Sequence, residues 1–214
     1  MPQRRQVVSD GRDENQAMSG ETTNQNSAND TPLRGQLPPE WTTRRVAVHD
    51  AAADDAPALT AIFNACTYVQ PWDPTFHPVE LPEIGQVVER SLADDEHANF
   101  RLQAVRPRDG GQPFGYFHLF HGAPQPDVCW ISMFVIHPDY QGQHLAQEVI
   151  NGLAYYLRQA GYRAIWLEVY LRNWPALRFW TIMGFTTIVG YEGDKEPGEG
   201  RQARLMLERP LANL

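Results

Sequence analysis

The chain has 214 residues, of which 42% are hydrophobic and 21% charged, and its formal net charge is −8. That length holds one domain of ordinary size and a tail, and the domain can bury a core without staples. The acidic balance argues against a general nucleic-acid binder, which presents a basic face. It suits, weakly, an amine-bearing partner.

Two cysteines, Cys66 and Cys129, cannot frame a disulfide scaffold, and both fall in apolar segments that predict buried free thiols. The seven histidines are scattered, with no metal-ligand spacing, so no metal is expected. No run of about 18 apolar residues and no signal-peptide core is present, so no membrane span is expected and a cytoplasmic, reduced setting follows.

Met1 to about Pro39 is rich in Asn, Gln, Ser, Thr, Asp and Gly. It has too few large apolar residues to offset its ordering entropy and reads as a disordered tail ahead of a domain over 40–214. Met18 stands as an alternative first residue. Alternation predicts a strand over 41–48. Asp54-Asp55 before Ala56-Pro57 marks a helix start, and Leu59, Ile62, Phe63 and Cys66 recur at helical spacing. Tyr68 to Pro78 carries three prolines among its aromatics, which forbids a regular helix. Such a loop lines a site or packs over a core edge, and Trp72, Phe76 and His77 are its substrate-loop candidates.

A second helix follows over 82–94, with Ile84, Val87, Val88, Ser91 and Leu92 inward. Strands over 99–106 and 114–121 flank the turn Arg108-Asp109-Gly110-Gly111-Gln112 and predict a hairpin. The apolar strand 128–136 reads as buried on both faces. A helix over 145–160, ended by Gly161, leads to a strand over 163–171, which implies a parallel pair with a crossover. A short helix over 174–183, capped by Gly184, precedes two antiparallel strands at 186–192 and 202–208. The whole reads as an α/β (α+β) domain: one mixed sheet of six to seven strands with helices on both faces.

The stretch around which the rest is organised is Ile136-His137-Pro138-Asp139-Tyr140-Gln141-Gly142-Gln143-His144-Leu145-Ala146. A strand that stops at a proline and hands over to a helix N-terminus leaves backbone N–H groups pointing into a gap. With the helix dipole, these make a site for a phosphate group.

At Gln141 to Ala146, Gln-Gly-Gln-His-Leu-Ala matches the Gln/Arg-x-x-Gly-x-Gly/Ala loop of the GCN5-related N-acetyltransferases. At Asn173-x-x-Ala176-x-x-Phe179-Trp180-x-x-x-Gly184-Phe185 the chain matches a second pattern of that family. The chain therefore resembles this family over roughly 46–207. The resemblance implies that the strands over 130–136 and 163–171 splay apart into a slot for acetyl-CoA as co-substrate. It implies that backbone groups of Phe134, Val135 and Ile136 bond the pantetheine arm and the acyl carbonyl. Residues Gln141, Gly142, Gln143, His144, Leu145, Ala146 and Gln147 would wrap the pyrophosphate, and Asn173 would bond the arm from the other wall.

Two positions depart from the pattern. His144 stands where the family has Gly, and His is among the side chains less averse to positive φ. Trp180 stands where many members have a Tyr that protonates the leaving thiolate, and an indole is no useful acid. The thiolate then leaves unassisted, or is protonated by water or by another phenol; Tyr170 is a candidate, since it shares side-chain parity with Glu168 on its strand. Glu168, in the apolar run Trp166-Leu167-Glu168-Val169, is the expected general base, because an ammonium must lose a proton before it attacks. The plainer reading pairs Glu168 with an Arg. His118, His121 and His137 are the other base candidates, each reading more readily as a solvated turn or hydrogen-bonded core residue, and Tyr155 and Tyr156 read as packing.

The expectation is thus an N-acetyltransferase moving acetyl to a primary amine by direct attack. The acceptor is a small molecule or a protein, and the chain is a monomer or homodimer. The alternative is a non-catalytic acyl-CoA-binding module that acts as a sensor or partner domain.

Overall fold

The computed structural model describes residues 37–212 apart from 74, 94–98, 197 and 199. The expected tail and the alternative start at Met18 lie outside the described residues, except for Leu37 to Pro39. Those three are held against the sheet: Leu37 is buried and its carbonyl accepts a bond from Arg101 Nη1 at 2.6 Å. The Pro39 carbonyl accepts from the Asp50 amide at 2.8 Å.

The strand expected over 41–48 is a hairpin of β1 (Glu40–Thr42) and β2 (Val46–Asp50). Its turn, Thr43-Arg44-Arg45, holds none of the usual turn residues, so the sequence reads through it. The sheet consequently has eight strands, more than the six to seven expected. Helices α1 (Ala56–Ala65) and α2 (Leu81–Leu92) follow. A proline sits in the first turn of each, where its missing N–H costs nothing. Then come β3 (Phe100–Pro107), β4 (Gly115–His121), β5 (Val128–Ile136), α3 (Leu145–Gln159), β6 (Ala164–Tyr170), α4 (Trp174–Ile182), β7 (Thr187–Gly193) and β8 (Ala203–Pro210). The spatial order is β1-β2-β3-β4-β5-β6-β8-β7. Only β5 and β6 run parallel among the paired strands.

Two cores lie on opposite faces. Leu59, Ile62, Ile84 and Val88 of α1 and α2 pack with Leu102, Ala104 and Tyr116. Across the sheet, Val149, Ile150, Leu153 and Leu157 of α3 pack with Val105, Phe117, Leu119, Ile131, Ile165 and Leu167. Each of those four α3 side chains is fully buried, a contribution of roughly 1.5–3 kcal/mol apiece.

One irregularity shapes everything that follows. Leu119 pairs with Ile131, but His118 pairs with Met133, so Ser132 is an extra residue on β5. Such a bulge bends its strand and deepens its twist. It also exchanges faces: Cys129 and Ile131 belong to the α3 core before it, Phe134 and Ile136 after it, while Met133 and Val135 turn to the α1–α2 core. At the same place β5 leaves β6. Pairing runs from Val128↔Ala164 to Ile131↔Leu167 and stops.

Candidate active site

The gap opened by that parting is lined on one side by β5 beyond Ser132. On the other lie β6 beyond Leu167 and the start of α4. Two cavities meet in it. A channel of about 330 Å³ is bordered by Phe134 and Ile136, by Tyr140 to Gly142 and His144 to Ala146, and by α4 residues including Phe179 and Trp180. A second cavity of about 420 Å³ is bordered by Met133 and Val135, by Glu168 and Tyr170, and by the segment between α1 and α2.

The loop expected to hold phosphate is built by local geometry. A 3₁₀ turn at Pro138–Tyr140 reverses the chain after β5, and Phe114 stacks on Tyr140 with ring centroids 4.5 Å apart. Gly142 has φ 72° and a Cβ placed there would meet nothing within 4 Å, so the channel side of the loop is open. His144 takes the left-handed conformation at φ 62°, ψ 11°, and is the one non-glycine residue with positive φ among those described. It precedes α3 without capping it by a side chain. The first N–H groups of α3 therefore have no side-chain partner from that residue, and the positive end of the helix dipole meets the channel.

Glu148 locks this end of α3 in place. It accepts from Thr43 Oγ1 and the Arg45 amide at 2.6 Å each, and from Arg45 Nε at 2.8 Å. Partial burial raises its carboxyl, but these bonds outweigh it and the net shift is downward.

The Gln141 carboxamide folds back over the loop. Its Nε2 donates to the Ile136 carbonyl and to Tyr68 Oη, both at 2.8 Å. Gln143 Nε2 donates to the Asp139 carbonyl, and Gln147 Oε1 lies 3.2 Å from His144 Nδ1. Neither Gln143 nor Gln147 borders the channel.

On β5, the His137 amide donates to the Phe114 carbonyl, beside β4, while the Ile136 carbonyl turns the other way to Gln141. By the alternation of an extended strand, Phe134 also directs its amide and carbonyl into the gap and Val135 directs its own to β4. Val135 borders the second cavity through its side chain, not the channel.

Asn173 borders both cavities and N-caps α4: its Oδ1 accepts from the Ala176 amide at 3.1 Å. The Asn-x-x-Ala spacing is thus that of a helix cap. Trp180 is buried among Phe134, Phe179 and Phe185, with centroids 5.8, 4.9 and 5.1 Å away.

Glu168 and Tyr170 project together into the second cavity, as their parity on β6 requires. Burial raises the Glu168 carboxyl, Arg204 pulls it back and Glu192 adds to the rise; the net shift is upward. Arg204 Nη1 lies 3.2 Å from Glu168 Oε2, and its guanidinium covers the Tyr170 ring at 5.7 Å. The ion pair of the plainer reading therefore exists within the cavity.

Of the loop candidates, Phe76 and His77 border this cavity, whereas Trp72 packs edge-on against Tyr68 at 6.4 Å. Residues the sequence reading passed over include Phe63, Cys66, Tyr68, Val69 and Asp73. For Tyr68, Val69 and Asp73 the signal was the aromatic, proline-broken loop itself, while Phe63 and Cys66 belong to the helical stripe before it. Asn64 closes that loop, exchanging bonds of 2.9 and 2.8 Å with Val79.

Three histidines stand apart from both cavities. His118 is buried under α2, where burial first and Arg90 second lower it to about 4. His121 Nδ1 lies 2.8 Å from Tyr162 Oη, and His137 Nδ1 accepts from the Asp139 amide. Tyr156 packs on Trp41 at 5.2 Å, and Tyr155 is exposed. Cys66 and Cys129 are buried free thiols. Among the described residues no cluster of three or more His, Cys, Asp or Glu could hold a metal, and no helix is long and apolar enough to cross a membrane.

The mixed sheet, with its parallel pair parting beside the strand-to-helix loop at Gln141 to Ala146, is a fold that the chain shares with solved acetyltransferases. The acetyltransferase (GNAT) family matches residues 58–185, more than half of the chain, and the chain belongs to that family. An acetyltransferase of Thermus thermophilus superposes with a TM-score of 0.62 at 22% identity, covering 77% of this chain and 96% of the other. A probable GNAT acetyltransferase of Chromobacterium violaceum does so at 0.69 and 14%, covering 92% and 98%. The microcin C7 self-immunity acetyltransferase MccE, solved with acetyl-CoA and AMP, gives 0.65 and 14%, covering 82% and 99%. A search of curated proteins found no match.

Proposed function

We propose that this chain transfers an acetyl group from acetyl-CoA to a primary amine by direct attack, with no covalent enzyme intermediate. The observation that carries the reading is the parting of β5 and β6 after Ile131 and Leu167, which joins a phosphate loop to a cavity holding a carboxylate. The residues present fit the cofactor. Gly142 leaves open space at the loop, α3 starts there without a side-chain cap, and Phe134 and Ile136 offer amides to an extended arm.

Glu168 takes the proton of the ammonium, directly or through a water, and its upward shift brings it closer to the working pH of a general base. The freed nitrogen forms a bond to the thioester carbon. The oxygen that becomes negative is met by a gap-facing amide of β5. The nitrogen gives its second proton to water as the C–S bond breaks, and the electrons of that bond leave on sulfur. Cys66 borders the cavity, but burial raises its thiol and Sγ donates to the Ile62 carbonyl, so it is a poor nucleophile and supports direct transfer.

Asp73 and Glu168 line the acceptor cavity together with Phe63, Phe76 and Tyr170. That lining suits a cationic amine with an apolar body, on a small molecule or a protein. The buried, unpaired Cys66 and Cys129 suit the reducing, cytoplasmic setting we propose.

The test is a CoA-release screen over N-terminal peptides, lysine peptides, polyamines, aminoglycosides and amino acids. Turnover with one class supports the reading. Tight acetyl-CoA binding without turnover on any of them would instead make the chain a binding module.

A further inference from the structure

Acyl transfer leaves the departing sulfur to be provided for. When the C–S bond breaks, sulfur carries away the electron pair as a thiolate, and in a poorly solvated throat that charge calls for a hydrogen-bond donor. The α4 position where the family resemblance implies a phenol holds Trp180, whose indole is packed among three phenylalanines.

The place of the sulfur follows from the cavities. The arm of the cofactor occupies the channel and the acyl carbon faces the acceptor, so the thioester lies where the two spaces meet. Tyr68, Val69, Phe134, Asn173, Ala176 and Trp180 border both. Among them Tyr68 alone carries a hydroxyl. Tyr170 borders the acceptor cavity and not the channel.

We propose that Tyr68, from the loop between α1 and α2, donates the hydrogen bond that stabilises the departing thiolate. Gln141 Nε2 donates to Tyr68 Oη at 2.8 Å, which engages the oxygen as an acceptor and leaves the hydroxyl hydrogen to the neighbouring Cys66 thiol at rest and to the thiolate once that charge forms. The same Nε2 is anchored on the Ile136 carbonyl, so the phenol is tied to the end of β5 that borders the channel. Trp72 packs against its ring, and the Asn64–Val79 bonds close the loop that carries it.

Burial, with Cys66 beside it, pushes the Tyr68 phenol up to about 12. A thiol with an ordinary pKa of about 8.5 is the stronger acid, so the phenol gives a hydrogen bond and keeps its proton. The balance is complete without further reactants. The first ammonium proton passes to Glu168, the amine nitrogen gains the acyl carbon and gives its second proton to water as the amide forms, sulfur takes the electron pair, and the released thiolate takes up a proton from water.

This inference rests on the acetyl-CoA reading, and its test separates the two. In Tyr68→Phe the ring remains and the hydroxyl is lost. Calorimetry with CoA at pH 6.5, where the thiol is protonated, should give affinities for parent and variant within about threefold of each other. The thiol of bound CoA, titrated by thiolate absorbance, should ionise about one pH unit higher in the variant, as befits the loss of a hydrogen bond to a charged group. kcat should fall about ten- to hundredfold with KM for acetyl-CoA little changed. Tyr170→Phe should leave the bound-thiol titration where it is.

Normal CoA binding with no displacement of that titration in Tyr68→Phe overturns the inference. So does a displacement found in Tyr170→Phe or Asn173→Ala instead. Absence of CoA binding by the parent protein would overturn the acetyl-CoA reading, and this inference with it.

Discussion

Replacing Glu168 by Gln keeps the shape of the side chain and removes its charge, so the variant isolates proton acceptance. General-base catalysis contributes about 10²- to 10⁴-fold, and a comparable fall in kcat is expected. The fold should barely register the change. The Glu168–Arg204 pair spans 3.2 Å with the two side chains 24% and 34% exposed, a geometry for which about 0–1 kcal/mol is usual. Against that loss stands a gain. The folded-state pKa of Glu168 lies above its unfolded value, so the folded chain holds the proton more tightly than the unfolded one. Stability from this group therefore falls as pH rises through that window, and Gln relieves the cost at neutral pH.

The two effects oppose, and Tm should stay within about 3 °C of the parent. The assay is CoA release followed with a thiol reagent, beside calorimetric CoA affinity, which should be nearly unaltered. The rise of kcat/KM with pH through the Glu168 ionisation should vanish in the variant. Unchanged turnover would remove Glu168 from the mechanism, and a large loss of Tm would show its role to be structural.

Gly142→Glu forces a side chain into a φ of 72° and into the open face of the phosphate loop. CoA affinity by calorimetry should weaken about tenfold or more, about 1.4 kcal/mol or beyond; an unaltered affinity puts the phosphate elsewhere. Gly152→Ala would set a Cβ 2.5 Å from Trp41 Cζ3 and 2.9 Å from Thr43 Cγ2, at a cost of about 1–3 kcal/mol; an unchanged Tm contradicts that packing. His118 is held neutral by burial, with its pKa lowered from 6.5 to about 4, so stability is lost as pH falls from 6.5 toward 4. Urea unfolding at pH 7 and pH 4 should differ by on the order of 3 kcal/mol more in the parent than in His118→Leu. Equal losses would show that His118 is not the group responsible.

Much of this architecture could be read from periodicity. The stripe of Val149, Ile150, Leu153 and Leu157 and the order strand, turn, helix, strand stood in the sequence because local spacing encodes them. The tolerance of His144 for positive φ was likewise legible from its chemistry. Other features have no local signature. The β1–β2 turn at Thr43 to Arg45 lacks glycine, proline and asparagine, and it is held by Glu148, a residue about a hundred positions away. Tyr68 meets Gln141 across 73 positions, so its place at the junction of the two cavities depends on how α1 and its following loop pack on the sheet. The family resemblance groups Val135 with its neighbours as a binder of the arm. The direction of its amide depends on which side of β5 faces β4, and that is a matter of pairing rather than of residue type.

Ser132 bears on how such a cleft can arise or disappear. It is a small, exposed residue with no side-chain bond among those described, yet it sets the phase of β5. Removing it would make β5 regular through Ile131 and Met133, keep Phe134 and Ile136 on the α3 face, and take away the bend that draws β5 from β6. Exchanging it for another amino acid would leave the phase intact. Within this lineage of sheets the pocket is governed by chain length at one point more than by side-chain identity, so a deletion of one codon can erase what many point mutations would not.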